Sequence, residues 1–198
     1  MLKRILVAAA LPVLLAGCTA EPVWAPEAQV TASLYTHDGP PSLTLFTVIN
    51  NRTEAGAHAG LMVNGSHRVI FDPAGTFKHP SIPERNDVHY GARPAVANLY
   101  VDYHSRETFR VVTQTIEVSP EVAEQALLAV QEYGAVPKAR CTVAVTRVLQ
   151  QLPGFESIST SYFPTSAMEE FAELPGVVEQ TFYDNDSDDN KTVLQANL

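Results

Sequence analysis

The chain predicts an α+β domain, a mostly antiparallel sheet with helices packed on one face. Three observations carry this. Short β-rich runs crowd the first half, an Asn64-Gly65 pair marks a hairpin between two of them, and amphipathic helical stretches follow as a block.

The N-terminus is an address. Lys3 and Arg4 precede an apolar run of roughly ten residues, too short for a bilayer span of about 20 residues but suited to a signal peptide. Residues 1–17 are read as that signal. Leu15-Ala16-Gly17-Cys18 resembles the lipobox of bacterial lipoproteins. The resemblance implies cleavage before Cys18 and lipid (a diacylglyceryl thioether, usually with an acylated amine) on that residue. Thr19, not Asp, follows the cysteine, which by analogy favours the outer over the inner membrane. Residues 18–41, with Pro22, Pro26, Pro40 and Pro41, read as a lipid-anchored tether, either docked on the domain through Trp24 or a disordered spacer.

Removal of the signal leaves about 180 residues, enough for one domain with a real core. The net charge of −9 becomes −11 once Lys3 and Arg4 are lost. Such a surface repels phosphate backbones, so nucleic acid is not an expected partner. The membrane, through the lipid on Cys18, is.

The folded part is expected over 42–183. Residues 42–49 alternate partly and are β-rich, giving a first strand. Residues 58–63 and 67–72 give two more, joined through Asn64-Gly65. An odd-numbered connection centred on Gly65 sets His58 opposite Asp72 on one face with Gly60, Met62, Arg68 and Ile70. A two-residue Asn-Gly turn would set Phe71 there and send Asp72 to the far face. Residues 77–91, with Pro80 and Pro83, read as a long loop, and 94–104 as a short helix. A strand follows over 108–118. Ser119-Pro120-Glu121 starts a helix that Gly134 stops. The next helix spans about 139–152, with Cys141, Ala144, Val145, Val148, Leu149 and Leu152 on one stripe. Ser166 and Glu169 have capping-box spacing for a helix over 167–174. Residues 177–183 read as a last strand and 184–198 as a solvated acidic tail.

Thiol catalysis needs a thiolate, an imidazole to exchange its proton and a polar group to orient that imidazole. Cys141 sits in the first turn of its helix, where unsatisfied amides favour a thiolate. His58 and Asp72 are the candidate base and orienter. His58-Ala59-Gly60-Leu61 with Val69-Ile70-Phe71-Asp72-Pro73, and the helix opening Cys141-Thr142, resemble the NlpC/P60-type papain-like hydrolases. The order histidine, third polar residue, cysteine resembles the circularly permuted branch, which includes lecithin-retinol-acyltransferase-like and YiiX-type proteins. The resemblance covers about 57–154 and implies Cys141 as nucleophile, His58 as base and Asp72 as orienter. It departs from the family at Arg140, where many permuted members carry Asn, and at Asp72, where histidine is common.

The function this implies is a lipid-anchored cell-envelope thiol hydrolase or acyltransferase, acting on an amide or ester of a peptidoglycan peptide or acyl lipid. The alternative is a non-catalytic envelope lipoprotein with Cys141 as a small buried hydrophobe. No cofactor is implied. His37, His67, His79, His89 and His104 lack metal-site spacing, so no metal is expected. His79 and His89 are secondary cleft candidates. Tyr100, Tyr103 and His104 read as core and rim. Residues 184–188 mimic a calcium loop, but Asp189 stands where that loop needs glycine.

Overall fold

A computed structural model describes residues 20–195. The signal segment and Cys18 lie outside them. The elements run α1 (Glu27–Ser33), β1 (Ser42–Asn50), β2 (Gly56–Asn64), β3 (Arg68–Phe71), β4 (Glu84–Arg85), β5 (Val88–Tyr90), α2 (Pro94–His104), β6 (Phe109–Glu117), α3 (Pro120–Glu132), α4 (Cys141–Leu149), α5 (Pro164–Ala172) and β7 (Val178–Phe182). The strands form one antiparallel sheet in the order β4-β5-β3-β2-β1-β6-β7.

The α+β class stands, but helices cover both faces of the sheet, not one. β1 is buried along nearly its whole length, so each of its faces needs a cover. Leu43, Leu45, Ala59, Leu61 and Phe71 pack with α3, α4 and α5 through Leu127, Val130, Val145, Leu149 and Phe171. Phe46, Val48, Ile70 and Val111 pack on α2 through Val96, Leu99, Tyr100 and Tyr103, one stripe at helical spacing.

The β2–β3 pairing corrects the expected register. Leu61 faces Phe71, Met62 faces Ile70 and Asn64 faces Arg68. The connection is odd-numbered, so His58 and Asp72 do share a face, but it centres on Ser66. Extending the ladder sets Gly60, not His58, level with Asp72, so His58 reaches Asp72 diagonally along the strand.

Segment 77–91 is not a structureless loop. Asn86 and Asp87 both have positive φ, 45° and 68°, the pattern of a two-residue hairpin turn, and they join β4 to β5 at the sheet edge. The tether is likewise structured. Its α1 buries Val30, and Trp24 bridges to Arg85. α5 starts at Pro164, so Ser166 is inside the helix and caps nothing. α4 starts at Cys141 because Ala139 is left-handed, φ 63°, and cannot be helical. The acidic tail is tied down: Asp186 accepts from Arg106, Asp188 from Thr108, and Asn190 donates to the Tyr103 carbonyl.

Candidate active site

Strand β2 holds His58 near its start, and the residue after β3 supplies Asp72. Asp72 is 2 % exposed. Its Oδ1 lies 2.6 Å from His58 Nε2 and accepts a 2.5 Å hydrogen bond from Tyr100 Oη on α2. With Nε2 committed to Asp72, Nδ1 is the His58 nitrogen left for Cys141, which sits in the first turn of α4 close enough for the ring to act on its thiol. The Ala59 N–H also points at the sulfur, and Thr142 Oγ1 is 3.8 Å from it. The structure therefore brings together the three residues singled out from sequence.

Sequence reasoning missed two neighbours. Tyr100 is one. Gly60 makes room for it: a Cβ there would drive into the Tyr100 hydroxyl and sit 3.3 Å from the Phe71 carbonyl. The glycine of the His-x-Gly motif was the available signal, since a glycine inside a strand marks close approach of another group. His104 is the other. Its ring stacks on His58 at 5.4 Å and 10°, and its Nδ1 donates to the Tyr100 carbonyl at 2.9 Å. His89 lies on β5, edge-on to Phe77, and shares with Asp72 the lining of a small cavity. The cleft beside His58, about 300 Å³, is lined by His58, His104, Tyr103, Gly75, Arg106 and, from the tail, Asp188 and Asn190.

The electrostatics follow from burial opposed by partners. Burial alone would push His58 down, but the Asp72 charge and hydrogen bond, with help from Cys141, raise it to about 10. Burial would push Cys141 up, but the His58 hydrogen bond and charge outweigh it and bring the thiol down to about 7. Burial also opposes ionisation of Asp72, yet His58 beside it holds its carboxyl well below the usual carboxylate range. His104 and His89 lack such a direct partner, and burial lowers each to about 4, so both rings are neutral at pH 7.

Nitrogen and oxygen atoms of His58, Asp72 and His104 lie close enough to suggest a metal site. The ring geometry argues against one. Imidazole lone pairs lie in the ring plane, and two rings stacked at 10° cannot both aim at one ion. The 2.6 Å His58–Asp72 contact is a hydrogen-bond distance. In a second acidic group, Asp102, Asp184 and Asp186, the Arg106 guanidinium pairs with Asp102 and Asp186.

The chain was compared with protein-family models, with curated proteins and with solved structures, and nothing matches it. The chemistry of the site therefore rests on its own geometry.

Proposed function

We propose that the protein is a lipid-anchored cell-envelope thiol hydrolase or acyltransferase that acts on an amide or ester through an acyl-cysteine intermediate. The observation that carries this is the grouping of Cys141, His58 and Asp72, with His58 hydrogen-bonded to Asp72, the thiol lowered to about 7 and the imidazole raised to about 10. The permuted papain-like order of the three residues supports the same reading.

At neutral pH the imidazole is protonated and about half of the thiol is thiolate. The thiolate attacks the carbonyl carbon. The first amides of α4 lack intrahelical acceptors, and no side chain caps them, so they are available to the oxyanion. The C–N or C–O bond breaks as His58 passes its proton to the leaving nitrogen or oxygen, leaving a thioester and a neutral imidazole. Water or an acceptor hydroxyl then attacks the thioester. His58 takes its proton, and the Cys141 thiolate departs. Asp72 fixes the ring tautomer and orientation throughout.

A thiol-directed activity probe tests the proposal on the native protein. Labelling should be abolished in Cys141→Ser and strongly slowed in His58→Ala. Modification of Cys141 only after denaturation would instead favour a non-catalytic lipoprotein.

A further inference from the structure

The tether bears on which end of the molecule meets the bilayer. Residues 23–25 are held on the β4–β5 hairpin: Asn86 N–H donates to the Val23 carbonyl, Ala25 N–H to that of Glu84, and Arg85 Nε to that of Ala25, each at 2.9 Å. The Arg85 guanidinium lies 4.6 Å from the Trp24 ring centre. Just before them, Glu21 lines the same small cavity as Asp72, His89, Lys78 and Lys138. Cys18 precedes Glu21 by three residues, and three residues of chain span about 10 Å at most. A domain of this size is about 40 Å across. Lipid on Cys18 therefore enters the bilayer close to the Asp72 cavity, and this end of the sheet cannot be turned away from the membrane.

The surface there suits a lipid interface. Lys78, Lys138 and Arg140 are exposed, and none makes an ion pair among the described residues. Exposed Glu21 also faces the cavity, as do Glu84 and Asp87, but the latter two are partly buried, and Asp87 accepts from the Ala74 and Val136 amides. Arg140, beside the nucleophile, donates to Tyr162 Oη at 3.3 Å. Tyr162 is 58 % and Phe163 69 % exposed, and the next residue, Pro164, abuts Gly56 at the start of β2. Exposed aromatics beside unpaired cations, on a chain that is net acidic, match the interfacial layer of a membrane with anionic headgroups.

We propose that this end of the domain docks on the membrane surface. Tyr162 and Phe163 enter the interfacial layer, Lys78, Lys138 and Arg140 face anionic headgroups, and Cys141 opens toward the bilayer. The inference rests on the lipid-anchor reading of Cys18 and not on catalysis. Trp24 is the single tryptophan of the chain, which makes a clean reporter possible. The full lipidated protein carrying Trp24→Phe and Phe163→Trp is reconstituted into vesicles of phosphatidylethanolamine and phosphatidylglycerol. Part of the lipid carries bromine high on its acyl chains. A second protein carries Trp24→Phe and Leu34→Trp. Leu34 is 46 % exposed and adjoins Tyr35, which bonds Arg68 at the far end of β2–β3. Strong quenching at position 163 with little at 34 is the expected result. Vesicle-bound, lipidated protein whose position 163 stays unquenched overturns the docking while leaving the anchor intact. Protein that does not float with vesicles and carries no lipid on Cys18 by mass removes the anchor and the docking together.

Discussion

The substitution Asp72→Asn isolates the charge behind His58. Asparagine keeps the shape and can still accept from His58 Nε2 and Tyr100 Oη, so the main loss is the negative charge. Without it, burial of the His58 ring is opposed only by Cys141, and the ring moves down toward the range of His89 and His104, which sit at about 4. The imidazolium disappears at neutral pH, and the thiol returns from about 7 toward its ordinary 9. At pH 7 the thiolate fraction then falls from about one half to about one per cent, ~50-fold. A more basic thiolate is intrinsically more nucleophilic, and a Brønsted slope of about 0.45 returns ~8-fold. The net effect at pH 7 is a rate about sixfold lower. The decisive quantity is thus the pH midpoint, which should rise by about two units.

The assay is the reaction of the native protein with an aromatic disulfide that releases a coloured thiolate, followed from pH 5 to 10. On the proposed lipid anchor Cys18 is a thioether, which does not react. A midpoint that stays near 7 in Asp72→Asn would refute the account, because the carboxylate would then not be what holds His58 protonated. His58→Ala is the companion measurement. If it raises the midpoint while Asp72→Asn does not, the imidazolium is sustained by the thiolate itself.

Gly60 and Tyr100 should behave as a coupled pair. Tyr100→Phe removes a hydrogen bond to a buried carboxylate, worth about 1.5–3 kcal/mol, and Gly60→Ala displaces the same hydroxyl. In a double-mutant cycle by urea denaturation Gly60→Ala should cost clearly less in the Tyr100→Phe background, and simple additivity would contradict the close-approach argument. The pH dependence of stability has a worked sign. His89 and His104, at about 4 in the fold and 6.5 unfolded, bind more protons unfolded, so stability is lost as pH falls from 6.5 to 4; His89 alone accounts for about 3 kcal/mol. His58 contributes fully below 6.5 and loses its contribution as pH rises through about 10, whereas Cys141 gains between 7 and 9. The two slopes cancel, so stability should be nearly flat from pH 7 to 9 and fall beyond it. A Cys141→Ala protein that kept that plateau would count against the coupling.

Much of the site turns on strand parity, a two-state question. The sequence left both parities open; the odd-numbered β2–β3 connection of the structure puts His58 and Asp72 on one face, with the turn centred on Ser66 and every partner shifted. Cys141 was legible from the helix pattern around it. Tyr100 was not, because its contact with Asp72 spans 28 residues and depends on where α2 lands. The placement of helices on one face failed at the same point. The α2 stripe was apolar enough to cover Ile70 and Val48, but a sequence does not say which side of a sheet a helix takes. β4 and β5 escaped notice because two- and three-residue strands carry almost no period. The tail looked solvated by composition, and the body residues that hold it, Arg106 and Thr108, lie some 80 positions away.

These long-range contacts explain why the candidate site is a joint between two layers. His58 and Asp72 face α2, whose Tyr100 and His104 fix the carboxylate and flank the imidazole. Cys141 arrives on α4, which packs on the opposite face of the sheet. The His58 ring is where the two layers meet, and the coupling of its charge to the thiol depends on both helices keeping their seats. A core substitution under either helix, such as Leu149→Ala below α4, should therefore alter the thiol midpoint as well as stability. Truncating a buried leucine costs about 2–5 kcal/mol, yet the midpoint responds only if α4 moves relative to β2. Stability and nucleophile tuning are separable quantities here, and the sheet between the layers is what links them.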